Sequence, residues 1–237
     1  TPGATRTAEG PVAAYHAAFD QFREAFGVRG PGNSVGSEPF VVVVGLLTDE
    51  LRLQASNLNL IDRVDDRDLP ELAGGTDGSI ASRTYSQLQR ARAQAGQGTA
   101  LLTRYAPDTL QFLAAHLYAL QGYSEVFLAE MFCSGIPLST IDFDGDYTLS
   151  PGISTDDVYR HALALFDTAA ALAGDSVRIA HLASVGRARA LLGLGELAEA
   201  ALAVAAGPDG FRDQVDFTPF EDAGAASFAN GEGTGWW

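Results

Sequence analysis

Lysine is absent from all 237 residues. The 15 basic side chains are arginines, set against 30 carboxylates for a net charge of −15. A chain so poor in clustered cations argues against DNA or RNA as a partner, because phosphate neutralisation needs them. The same balance argues against docking on an anionic lipid surface and favours neutral or cationic ligands. Without lysine there is no Walker-type phosphate loop, and neither HExxH nor GxSxG occurs. The single cysteine, Cys133, excludes an internal disulfide and a cysteine-based zinc site. At the end of an apolar helix it reads as a buried free thiol. Long apolar runs are missing too: FVVVVGLL (40–47) falls far short of the roughly 18–20 residues that span a bilayer. His16, His116, His161 and His181 are dispersed, and Glu125 and Glu130 diverge on one helix, a poor acid/base pair. No catalytic residue is assigned, and the chain is not read as an enzyme.

What is present is helical pattern. The 46% apolar content is ample for a packed core. Pro11 suits a first helical turn, and Val12, Tyr15, Phe19, Phe22 and Phe26 form one stripe. Residues 40–53 read as helix or strand: the β-branched FVVVV favours a strand, whereas its run into TDELRL favours a helix, the preferred reading. A helix is expected from Ser79 to Gln97, and a second, opened by Pro107 and ended by Gly135 and Pro137, is apolar over so wide an arc that it belongs inside a bundle. Ser154, with Asp157 three positions on, is an N-cap for a helix over 154–173. An alanine-rich hairpin over 183–208 turns at Gly195-Glu196. Arg187 and Arg189 within it are expected to find carboxylates. The fold class is therefore all-α, a bundle with tetratricopeptide-type hairpins over 1–208. It carries excursion loops at 54–78 and 134–153, and a loop-rich tail follows at 209–237.

The candidate site residues lie outside the helices. Asp142, Asp144 and Asp146 alternate in DFDGDY as the first ligands of a calcium loop do, but the glycine is displaced and no twelfth-position glutamate follows. The two readings are a Ca²⁺ ligand set and a solvated acidic turn. Tyr147 and Phe143 flank this turn, and Trp236 and Trp237 stand in a glycine-rich stretch.

The order of these pieces carries a resemblance. A long helix runs into LAEMFCSGIPLSTIDF (128–143), then an acidic loop, then the capped STDDVYRHALALFDTAAALA (154–173), then ASVGRARALLGLGELAEAALAVAAGP (183–208). This sequence of elements resembles the SusD/RagB family, surface glycan-binding lipoproteins that partner TonB-dependent transporters. The resemblance covers most of 11–220, corresponding to the helical N-terminal half of that family, with 209–237 as the start of a second portion. It implies a lipidated cysteine upstream of Thr1, an outer-membrane surface location, a SusC-like TonB-dependent transporter as partner, and an oligosaccharide or other nutrient as ligand. Aromatic rings stack on the C–H faces of sugars, so Trp236, Trp237 and Tyr147 are the ligand-binding candidates in this chain; the other readings are tryptophans that pack on the domain body and a tyrosine that anchors its loop. The 54–78 loop has no Phe, Tyr or Trp and offers no such residue. The alternative reading is a helical-repeat scaffold or extracellular assembly subunit, in which the alanine-rich faces meet other subunits.

Overall fold

The computed structural model describes residues 9–26, 40–52, 64–67, 80–106, 108–142, 145–208 and 210–213. Helix accounts for 73% of them, in seven helices, so the fold is all-α. The helices are α1 (Gly10–Phe26), α2 (Phe40–Leu47), α3 (Ile80–Tyr105), α4 (Gln111–Met131), α5 (Thr155–Leu172), α6 (Val177–Gly193) and α7 (Leu197–Val204). Two compact units divide the chain: 1–22 with 88–211, and 23–87 with 212–237.

The larger unit is organised around α4. Every residue from Ala114 to Ala129 is buried except Tyr118. That is the all-round burial its wide apolar arc predicts. Helices α5 and α6 pack on it, and α7 folds back on α6 after the turn Leu194–Glu196, where Gly195 takes φ 78°. Glycines set the spacing of the first three. A Cβ at Gly122 of α4 or Gly186 of α6 would lie inside 3.0 Å of the Phe166 ring of α5. Phe166 also meets Tyr123 edge-on at 5.1 Å, and the Tyr123 hydroxyl donates to Leu182 O at 2.9 Å. Close helix contact, a polar tether and an aromatic pair thus converge on one buried ring.

The expected helix over 79–97 continues to Tyr105, and Gly96 and Gly98 do not stop it. A Cβ at Gly98 would come within 2.6 Å of the Leu117 side chain, so this glycine admits α4 rather than ending α3. Pro107 lies outside the described residues. A single 3₁₀ turn, Asp108–Leu110, leads into α4. That helix ends at Met131, before Gly135, because Phe132 takes an extended conformation at φ −120°, ψ 144°. Ser154 caps α5 as expected, its hydroxyl accepting from Asp157 N at 3.1 Å. Asp157 and Arg160 of that first turn pair at 3.7 Å.

In the smaller unit, residues 40–47 are helix, the preferred of the two readings. Phe40, Val42, Val43 and Leu46 are buried, and Phe40 stacks on Phe26 with ring centres 6.1 Å apart. The helix stops short of 53 because Asp49 turns left-handed at φ 63°. Aspartate tolerates that region better than most residues. Arg67 secures the turn, 2.6 Å from Asp49 Oδ2 and donating to Leu47 O at 3.3 Å. Apart from 64–67, the 54–78 loop lies outside the described residues, as does the 209–237 tail apart from 210–213.

Candidate functional site

Between α4 and α5 the chain leaves the bundle over 132–154. Two minimal antiparallel ladders shape this excursion: β1 (Ile136–Pro137) with β4 (Gly152–Ile153), and β2 (Thr140–Ile141) with β3 (Tyr147–Thr148). Gly135 N donates to Ile153 O at 2.8 Å, closing its base. Ladders this short do not stand alone in water. What holds them is a row of side chains from α3. Gln89 Nε2 donates to Pro137 O at 3.0 Å, Arg92 Nη2 to Ser139 O, and Gln97 Nε2 to Ile141 O at 3.1 Å. Carbonyls two apart on an extended strand point the same way. Gln89 and Arg92, three residues apart, sit on one helix face, and Gln97 reaches the excursion from further along α3. One helix thus holds alternate carbonyls of the segment that runs from β1 into β2.

Behind that grip lies a buried charge. Glu125, in the middle of α4, is fully buried. Its Oε2 is 2.6 Å from His161 Nδ1 on α5, and its Oε1 accepts from Gln121 Nε2 at 3.2 Å. The Arg92 guanidinium, itself buried, stands 4.0 Å from Oε1 and is braced by its own Nε bond to Gln89 at 2.9 Å. Hydrogen bonding to Glu125 holds the His161 pKa above its usual value of 6.5, against burial and the Arg92 charge, which pull it down. The imidazole is half exposed, whereas its partner carboxylate is shut away from solvent. Sequence reading missed this constellation. Its one visible signal was a carboxylate in the uncharged run from Gln111 to Leu128; its partners arrive from two other helices.

The predicted site residues fall as follows. Tyr147 is on β3, 72% exposed, with Leu149 beyond it on the same side of the strand. Asp142 and Asp146 close a turn on each other: Asp146 N donates to Asp142 Oδ1 at 2.9 Å, and Asp142 N to Asp146 O at 3.1 Å. One Asp142 oxygen therefore serves the turn. Asp144, Trp236 and Trp237 lie outside the described residues. Among the described residues no group of three or more histidine, cysteine, aspartate or glutamate side chains could hold a metal ion. Cys133 is exposed, not buried as expected, because α4 ends two residues earlier and Cys133 already belongs to the excursion. Glu125 and Glu130 diverge as expected, the second pairing with Arg189 at 2.6 and 2.8 Å. Arg187 pairs with Asp167 at 2.9 Å, so both hairpin arginines do meet carboxylates.

A buried histidine sits elsewhere in the same unit. His116 Nδ1 and the Tyr15 hydroxyl share a hydrogen bond of 2.8 Å, and the Phe19 ring lies 5.4 Å away. Its Nε2 has no hydrogen-bond partner among the described residues. Burial, with the Arg178 charge adding to it, pushes its pKa down to about 3, so the ring is neutral at physiological pH.

No family model matches this chain, and neither a curated protein nor a solved structure does. Among the described residues, no helix is long and apolar enough to cross a membrane.

Proposed function

We propose that this chain is a nutrient-binding protein of the SusD/RagB type. It would sit at the outer-membrane surface, capture an oligosaccharide or similar ligand, and deliver it to a TonB-dependent barrel. Its action would be binding and hand-over, without bond chemistry. The observation that carries this reading is the excursion at 132–154. It leaves the bundle where the resemblance expects a loop, between the long helix and the capped helix, and α3 pins it there through three of its carbonyls. The pinned loop holds Tyr147 out to solvent, and a fixed, exposed ring suits stacking on a sugar face with little ordering cost on binding. The surplus of carboxylates favours neutral glycans over acidic ones.

Capture of the protein from detergent-solubilised native membranes, read by mass spectrometry, is expected to recover a TonB-dependent barrel. Calorimetry against neutral oligosaccharides is expected to find a ligand whose affinity falls about tenfold in Tyr147→Ala, the scale of one lost stacking contact. Recovery without a barrel, together with no affinity for any sugar, overturns the reading.

One observation favours the assembly-subunit reading instead. Leu192, Leu197, Leu202 and Val204 are all exposed on α6 and α7. Exposed apolar side chains that gather into one patch mark subunit contacts.

A further inference from the structure

The buried carboxylate and the gripped strand share one residue, Arg92. Its guanidinium reaches towards Glu125 on one side and donates to Ser139 O on the other. His161 competes for the same carboxylate and, unlike Arg92, is open to water. We propose that Glu125, Arg92 and His161 form a proton-sensitive latch that fixes the excursion to the helical body. The proposal concerns the hold on the loop and is independent of any ligand at Tyr147.

With His161 protonated, its Nδ1–H donates to Glu125 Oε2 at 2.6 Å and neutralises the buried carboxylate. Arg92 then stays 4.0 Å from Oε1 and keeps its bond to Ser139 O. With His161 neutral, Arg92 is the remaining cation beside a fully buried anion. The carboxylate keeps its hydrogen bonds from Gln121 and from His161 Nδ1–H but loses the neutralising charge, and it draws the guanidinium into a short, charge-assisted pair. That movement takes Arg92 off Ser139 O, and the middle rung of the three-rung grip is lost. Ser139 also accepts, through its Oγ, from Ser150 N at 3.0 Å, so the loss reaches the segments that flank the β2–β3 ladder on both sides.

Several charged groups of α5, α6 and the excursion have partners of their own. On α5, Asp157 pairs with Arg160, and from α6, Arg187 pairs with Asp167 and Arg189 with Glu130. In the excursion, Asp142 and Asp146 close their own turn. Glu125 of α4 and Arg92 of α3 are the charged groups that set the His161 pKa from the packed elements, the first raising and the second lowering it. The latch is closed on the acid side and opens as pH rises through the folded-state value, which lies above the ordinary 6.5.

The test is an NMR titration of the whole chain from about pH 5 to 9, following the His161 ring and the backbone amides. The amides of Thr140, Ile141 and Ser150 are expected to move with the same midpoint as the ring. After correction for intrinsic rates, exchange of the Ser150 amide is expected to quicken about tenfold across that midpoint. In His161→Gln, a half-exposed position, with the amide dispersion of the rest of the chain checked as retained, both effects should vanish. Excursion amides that stay flat while the ring titrates overturn the latch. So does a titration of those amides that persists in His161→Gln.

Discussion

At the scale of single residues, the two buried-side histidines of the larger unit are tuned in opposite directions by one physical contrast, the presence or absence of an anion. His161 finds Glu125 and holds its proton; His116 finds a tyrosine hydroxyl and desolvation, and gives its proton up. The linkage signs therefore differ. For His161 the folded pKa lies above the unfolded value, so its contribution is complete below about 6.5 and is lost as pH rises through the folded value. For His116 the folded value is about 3 against 6.5 unfolded, so its contribution is present above 6.5 and is lost as pH falls towards 3. Urea unfolding at pH 7 and pH 5 should show the wild type losing about 2 kcal/mol more than His116→Gln over that interval. An equal loss in both proteins would mean that His116 is not the buried neutral group described. Neither environment could be read from the sequence, where both histidines are simply helical positions among alanines and leucines.

At the scale of elements, the helices were legible and their mutual spacing was not. The stripe of α1, the cap at Ser154 and the turn at Gly195 each follow from side chains within a few residues, which is why the sequence reading found them. The glycines at 98, 122 and 186 are different. Local propensity reads a mid-helix glycine as a weakness worth up to about 1 kcal/mol. Here each one makes room for a side chain from another helix. Gly186→Ala improves propensity and yet should lower stability by about 1–3 kcal/mol through overpacking against Phe166. Thermal unfolding checks this, and combination with Phe166→Leu should return part of the loss. A gain in melting temperature from Gly186→Ala alone would show that α5 and α6 have slack the close approach does not suggest. The short ladders of the excursion belong to the same scale. No strand period announces two-residue strands, because their stability comes from Gln89, Arg92 and Gln97 on a distant helix.

For the whole molecule, the open question is which surface meets a partner. The nutrient-binder reading puts function on the excursion, and the assembly reading puts it on α6 and α7. Light scattering on the purified chain separates them. A monomer unaffected by Leu197→Glu and Leu202→Glu leaves the excursion as the working surface. An oligomer that these substitutions dissolve moves function to the helix face, since a buried glutamate without a partner costs several kcal/mol per contact. The charge of −15 acts in the same experiment: self-association should strengthen with salt, which screens like-charge repulsion.

Composition and periodicity decided what depends on neighbours along the chain: the all-α class, most helix positions, the cap of α5 and the absence of lysine and disulfide chemistry. These are local properties, set by the 3.6-residue period and by side chains within one turn. The tertiary structure alone decided the exposure of Cys133, the length of α3, the burial of Glu125 and its sharing between Arg92 and His161. Arg92 is 33 residues before Glu125 and His161 is 36 after it, so no local period links them. They meet because three helices pack closely enough to exclude water from one carboxylate. Burial of that kind is a property of the packed whole, written in the sequence only as one glutamate where an apolar side chain would be expected.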